Sequence, residues 1–287
     1  MDKYISAFIK ALHETSKSEH TLIAYKKDLE QLSLYLIEKH INRVEDITEK
    51  SLREYFDYLA KNDLSAKTIS RKLNSTRTFF KYLESEKIIT KNPASSISHP
   101  KIESVQPRIL TEMEYRALRD AARVDARTYT IIEILLQTGI RIGELCRIKL
   151  PDLDLTKGDK SVLRVSEYGS NTARNIPLNK KAISVFKQYL DIRPNNTKTE
   201  QLFITKNGNP LLVRNVRASI DNVFRKAGIE NAKVNDLRNT FIAHHLARGT
   251  NIFILSQIIG HKRISTTEKY MGQIKTELET YTSLSTL

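Results

Sequence analysis

The sequence predicts a mainly α-helical chain of two domains, the second an α+β unit with one small antiparallel sheet. Three observations predict it. Apolar residues recur at helical spacing through the first hundred positions. A proline-marked stretch without periodicity follows, at Pro93, Pro100 and Pro107. The remainder is again helical in pattern, interrupted by two short β-type segments around Gly169-Ser170-Asn171. The expected boundaries are a helical domain over 1–99, a linker over 100–108 and a second domain over 109–287.

Ser18-Glu19-His20-Thr21 opens the first helix read here, with Leu22, Tyr25, Leu29, Leu32 and Leu36 on one stripe and Lys26, Lys27 and Glu30 on the other side. Thr48 and Ser51 introduce another, with Leu52, Tyr55, Phe56 and Leu59 inward. Ser65 to Thr68 opens a third. Its Ile69, Leu73, Phe80 and Leu83 face a core, leaving Lys67, Arg71, Lys72, Arg77 and Lys81 as cations on or near the outer side. Such a run is usually a solvated face; in a basic chain, Lys67, Arg71 and Lys72 are equally candidates for contacting phosphate. Asn92-Pro93 ends the helical part, because proline disfavours helical geometry in the residue before it. In the second part Thr111 caps a helix with Glu114 reaching back. An apolar helix spans Thr128 to Gln137 and stops at Gly139. Val162–Val165 and Arg174–Leu178 form a hairpin, and helices return from Lys180.

Composition narrows the function. The 287 residues carry a net charge of +14 with 40% hydrophobic content. Residues 1–100 hold 17 Lys+Arg against 14 Asp+Glu, and residues 101–287 hold 30 against 19, so the excess lies mainly in the second part. Such a charge favours a polyanion through counterion release. No apolar run approaches the ~20 residues of a membrane span, and Met1-Asp2-Lys3-Tyr4-Ile5 lacks the apolar stretch of a secretory signal. A single cysteine, Cys146, excludes an intrachain disulfide and a multi-cysteine metal site, which fits a reducing, cytoplasmic setting.

Three turns carry the chemistry. In Thr138-Gly-Ile-Arg141-Ile-Gly-Glu144-Leu145, Gly139 supplies a left-handed cap and Arg141 leads a new helix with Glu144 three residues on. In Asn235-Asp-Leu-Arg238-Asn-Thr-Phe241, Asn235 suits an N-cap, which puts Arg238 in the first turn, where an anion is favoured. Either arginine alone would read as surface charge. In His261-Lys-Arg-Ile-Ser-Thr-Thr-Glu-Lys-Tyr270, the histidine follows the helix-ending Gly260. Ser265 and Glu268 form a capping box that places Tyr270 in the next helix. Imidazole and phenol presented to one phosphate make Tyr270 a candidate nucleophile.

The order and spacing of all three resemble the tyrosine recombinase (phage integrase) family, most closely its Xer-type members. The family's boxes read T-G-x-R-x-x-E-L, H-x-L-R-H-T-F and L-G-H-x-x-I-x-T-T-x-x-Y. The first half, with Thr21-Leu-Ile-Ala-Tyr25, Phe79-Phe-Lys-Tyr82 and Asn92-Pro-Ala94, is similar to the family's helical, SAM-like core-binding domain. The resemblance implies that Tyr270 attacks a scissile phosphate of double-stranded DNA, giving a 3′-phosphotyrosine and a 5′-hydroxyl. It implies that Arg141 and Arg238 clamp the non-bridging oxygens, that His261 donates a further hydrogen bond, and that Glu144 steadies the site. No metal, ATP or other cofactor is called for. Four copies acting on two DNA sites are implied, with the tail Gly272–Leu287, including Leu278, Tyr281 and Leu284, packed on a neighbouring protomer.

Two departures stand out. Asn235 replaces the family's first histidine and cannot take a proton. Gly169 occupies the slot of the hairpin lysine expected to protonate the leaving 5′-oxygen, and Lys157, Lys160 and Arg174 are the candidate replacements. Arg174 is also a candidate DNA contact. A type IB topoisomerase-like relaxing enzyme and a DNA-binding accessory protein with weakened catalysis remain the alternatives, as does the choice between chromosome-dimer resolution and integration or excision of a mobile element.

Overall fold

The structure is a computed structural model and describes residues 1–15, 19–103, 105–156, 158–169, 171–195 and 199–273. Ser18, Lys157, Ser170 and the part of the tail holding Leu278, Tyr281 and Leu284 lie outside the described residues. The chain divides into two compact units, Met1–Ser104 and Val105–Leu287.

The first unit contains α1 (Asp2–Glu14), α2 (Glu19–Glu38), α3 (Glu49–Lys61) and α4 (Ala66–Ser85). Helix α1 is an addition to the sequence reading; Ile5, Phe8 and Leu12 bury one face of it. Thr48 and Ser51 form a reciprocal cap on α3, and Ser65 accepts from the Thr68 amide at the start of α4. The predicted stripes meet in one core, in which Leu29, Leu32, Leu52, Phe79, Phe80 and Leu83 are fully buried.

Burial reassigns part of the cationic face of α4. Lys72 is buried, with Nζ donating to Asp28 Oδ1 at 3.0 Å and to Gln31 Oε1 at 2.6 Å. Asp28, itself 3% exposed, also accepts from Arg71 and from Ser75 Oγ at 3.1 Å. Lys72 is therefore an internal tie between α2 and α4, not an outward phosphate contact: helical spacing placed it at the border of the apolar stripe, and a buried carboxylate drew it inward. Arg77 is likewise turned inward, bonding the carbonyls of Ala94 and Ile97. Lys67 is exposed, and Arg71 is half exposed beside Asp28.

The second unit runs α5 (Glu112–Ala122), α6 (Ala126–Thr138), α7 (Ile142–Leu145), strands β1 (Leu153–Asp154), β2 (Val162–Val165) and β3 (Arg174–Pro177), then α8 (Lys180–Ile192), α9 (Val213–Lys226), α10 (Val234–Ala247), α11 (Ile252–Ile259) and α12 (Ser265–Glu268). The Thr111–Glu114 box caps α5 as expected. Arg108, assigned above to the linker, bonds Glu114 Oε1 at 2.7 Å and the Glu230 carbonyl, which ties it to this unit. Helix α6 is buried along nearly its whole length. The sheet has order β1-β2-β3, all antiparallel, with Leu163 paired to Ile176 and both facing the core. Two-residue β1 has no readable periodicity of its own and was missed. Two caps differ from expectation. Lys233 precedes α10 and is held by the Asp236 carboxylate, so Asn235 lies inside the first turn. No side chain caps the four-residue α12, and Tyr270 follows it instead of sitting within it.

Candidate active site

Two glycines set the site's backbone. Gly139 ends α6 at φ +61°, and a Cβ there would lie 2.4 Å from the Phe241 ring. Gly260 ends α11 at φ +69°, and a Cβ there would press on the Arg174 guanidinium at 3.0 Å. Both positions need the left-handed geometry and the missing side chain.

The carbonyls at the end of α11 have no helical partner. Three arginines take them. Arg174 Nε donates to Ile258 O at 2.7 Å, Arg238 to Ile259 O at 2.6 Å and Arg141 to Gly260 O at 3.1 Å. Arg238 also donates to Gly139 O. Glu144 completes the framework. Its Oε2 accepts the Arg141 amide at 2.8 Å, its Oε1 accepts the Arg141 guanidinium at 3.2 Å, and Arg174 grips both oxygens at 3.0 and 2.8 Å. Burial works against this carboxylate's charge, but the bonds from Arg174 and Arg141 prevail and hold its pKa below the usual range.

Arg174 is thus neither an outward DNA contact nor a replacement acid. Each of its three nitrogens is engaged, and its side chain is 7% exposed. A β-strand arginine reads as outward-facing in sequence; only the position of buried Glu144 turns it in. Arg238 is buried as well, and desolvation together with neighbouring Arg141 draws its pKa down to about 9, leaving it charged at neutral pH. Arg141 is the more accessible of the pair, with a side chain 32% exposed.

His261 lies beside them. Burial, followed by repulsion from Arg238, Arg141 and Arg174, pulls its pKa down to about 4, so the ring is neutral at pH 7. Its Nδ1 is 2.9 Å from Thr267 Oγ1, which is 2.7 Å from Ser256 Oγ. A histidine pKa lowered by folding contributes stability that is complete above the unfolded value of ~6.5 and is lost as pH falls toward about 4. Urea midpoints are expected to fall across that window in the wild type and less steeply in His261→Gln. His244 and His245 are shifted in the same direction, so the difference between the two proteins is the measurement. Parallel curves would remove this assignment.

Tyr270 is buried against Phe241, Ile242, Leu246, Leu255 and Ile259. Its hydroxyl donates to Asn239 Oδ1 at 2.8 Å, an oxygen that also accepts from Asn235 Nδ2 at 3.2 Å. Asn239 is anchored in turn through Nδ2 to Arg108 O at 3.1 Å and to Asp236 Oδ1 at 3.2 Å. Burial raises the phenol's pKa and Arg238 opposes the rise, so the hydroxyl is a protonated donor at neutral pH. Asn239, Ser256 and Thr267 were missed in the sequence. Asn239 had a signal: it stands at the second histidine of the box H-x-L-R-H-T-F. The contact of Thr267 with His261 depends on how the loop after Gly260 closes.

The structure therefore gathers Arg141, Glu144, Arg174, Arg238 and His261 around the end of α11, with Tyr270 and Asn235 joined through Asn239. Lys67, Arg71 and Lys72 belong to the other unit.

Comparison with known proteins identifies the family of the chain. The family model described as "Phage integrase family" matches residues 108–277, and "Phage integrase, N-terminal SAM-like domain" matches 5–87. "Tyrosine recombinase XerC" of Staphylococcus carnosus (strain TM300) is 32% identical over 278 residues, covering 94% of this chain and 92% of the relative. "Tyrosine recombinase" of Thermosipho africanus (strain TCF52B) is 33% identical over 287 residues, covering 94% and 95%. Among solved structures, XerA recombinase has 27% identity and a TM-score of 0.54 over 94% of this chain and 92% of that one. A lambda integrase dimer bound to a COC′ core site shares the fold at 19% identity, with a TM-score of 0.76 over 94% and 76%. With both parts matched in order along nearly its whole length, the chain belongs to the phage integrase family of tyrosine recombinases.

Proposed function

We propose that this protein is a site-specific DNA recombinase that cuts and rejoins duplex DNA through a 3′-phosphotyrosine on Tyr270. The observation that carries this reading is the convergence of Arg141, Arg238 and His261 at the end of α11, with Tyr270 near enough to Arg238 to feel its charge. Two guanidiniums supply planar, multi-donor recognition of a phosphate whose charge grows in the transition state. In the tautomer whose Nδ1 accepts from Thr267 Oγ1, neutral His261 donates through Nε2. Glu144 and Arg174 hold Arg141 in place. The phenol leaves Asn239 to attack, losing its proton to solvent; the phosphotyrosine conserves the bond energy, so the liberated strand rejoins without ATP.

The division of labour is a helical DNA-clamping domain over 1–99, a linker and a catalytic domain that takes in Arg108 at its start. The protein acts in the cytoplasm as a tetramer on two DNA sites. Its C-terminal tail docks on a neighbouring copy, for which exposed Phe253, Ile254 and Met271 offer apolar surface. Near-full-length likeness to proteins named XerC and XerD favours recombination over relaxation or a purely accessory role.

The test is covalent trapping. A DNA site is selected from random sequence by binding to this protein and built into a nicked suicide duplex. A covalent protein–DNA adduct is expected, with the DNA mapped to the peptide containing Tyr270. Specific binding with no adduct would mean that the protein does not cleave.

A further inference from the structure

Resting on the recombinase reading, the geometry points to Lys262 as the acid that protonates the leaving 5′-oxygen, the task left open by Gly169. The hairpin does reach the site, but it brings an amide. Asn171, from the turn after β2, lines one cavity with Arg141, His261, Lys262, Arg263 and Thr266. Gly169 has no side chain to offer, and asparagine has no proton to release near neutral pH.

The other groups facing this cavity fail for chemical reasons. Arg141 and Arg263 offer charge and hydrogen bonds, and a guanidinium is as a class a poor proton donor near neutral pH. Thr266 is a neutral hydroxyl. His261 is neutral at pH 7, and its imidazole N–H is a hydrogen-bond donor rather than an acid of useful strength. Arg174, which does not line this cavity, is engaged with Glu144 and Ile258 O. Lys262 is the only lysine among the described residues lining this cavity, and an ammonium on a flexible four-carbon stem is both mobile and able to give up a proton. It is exposed and lines the same cavity as Arg141 and His261, so a phosphate held there by those two groups shares that cavity with the lysine.

The step balances. The Tyr270 oxygen bonds to phosphorus while the phosphorus–O5′ bond breaks. The phenol proton goes to water, and the ammonium proton of Lys262 goes to O5′. The products are a 3′-phosphotyrosine, a 5′-hydroxyl and a neutral amine. In rejoining, the amine takes the proton back as the 5′-hydroxyl attacks.

A paired-substrate experiment tests the assignment. Two nicked suicide duplexes of the same selected site are compared, one with the natural scissile oxygen and one with a 5′-bridging sulfur, a leaving group that needs no protonation. Lys262→Ala is expected to slow cleavage of the oxygen substrate by ~10²–10⁴ and to cleave the sulfur substrate near the wild-type rate. Lys262→Arg keeps the charge but not the acid and is expected to behave like Lys262→Ala. Wild-type rates on oxygen in either variant, or a loss that sulfur does not restore, would overturn the assignment. So would a sulfur-rescued defect in Lys157→Ala or Lys160→Ala with Lys262→Ala unaffected. Failure of the wild type on both substrates would remove the recombinase reading, and this assignment with it.

Discussion

Tyr270→Phe is expected to eliminate the covalent adduct while leaving the fold and DNA binding intact. The ring packs in an apolar cluster with Phe241, Ile242, Leu246, Leu255 and Ile259, and phenylalanine fills the same space. The substitution removes one hydrogen bond, the 2.8 Å contact to Asn239 Oδ1. That oxygen keeps its bond from Asn235 Nδ2, so the loss is about 1 kcal/mol, the net worth of one ordinary hydrogen bond. Activity falls far further, on the order of 10⁴-fold or more, because removing a nucleophile leaves only binding and electrostatics. Gel shift, urea unfolding and covalent trapping on one preparation separate the two effects. An adduct that persists in Tyr270→Phe would move the nucleophile elsewhere. A collapse in stability would mean that the phenol is mainly structural.

Glu144→Ala is expected to damage stability and chemistry together. The carboxylate is 6% exposed and accepts bonds from the Arg141 amide and from the guanidiniums of Arg141 and Arg174. Its removal leaves Arg174 buried without its anion, a situation that costs ~3–5 kcal/mol. Arg141 loses its tether at the same time, and a small displacement of a phosphate clamp costs on the order of 10² in rate. Urea unfolding and the rate of adduct formation are the measurements. The double substitution Glu144→Leu with Arg174→Met is expected to recover most of the stability, because it removes both charges, and none of the activity. A change below about 1 kcal/mol in Glu144→Ala would show that the buried pair is not what holds the site.

The sequence was most legible where local rules act. Caps at Thr48, Ser65 and Thr111, the glycine stops at Gly139 and Gly260, and the stripes of α2, α3 and α4 follow from spacing and side-chain chemistry alone. The four groups proposed for the phosphate stand out in the sequence because their boxes are contiguous in the chain. Errors came where a long-range partner decides. Lys72 and Arg174 looked outward by periodicity and are turned inward by Asp28 and Glu144, carboxylates 44 and 30 residues away. Asn235 looked like a cap, but Asp236 holds that role through the Lys233 amide. Strand β1 exists only because β2 is there to pair with it.

From the residues alone came the helical character, the two-part organisation, the basic charge and the candidates for a nucleophile and its phosphate-binding groups. These are properties of composition, period and short contiguous motifs, encoded within a turn or two of the chain. Tertiary structure alone decided which charges are spent inside the protein and which remain for a ligand, that the end of α11 collects three arginines, that Asn239 holds the phenol, and that Lys262 shares a cavity with Arg141 and His261. Each of these depends on burial and on contacts between distant segments. Desolvation makes an unpaired charge costly, so it is the packed neighbour, not the local motif, that settles where a long cationic side chain points.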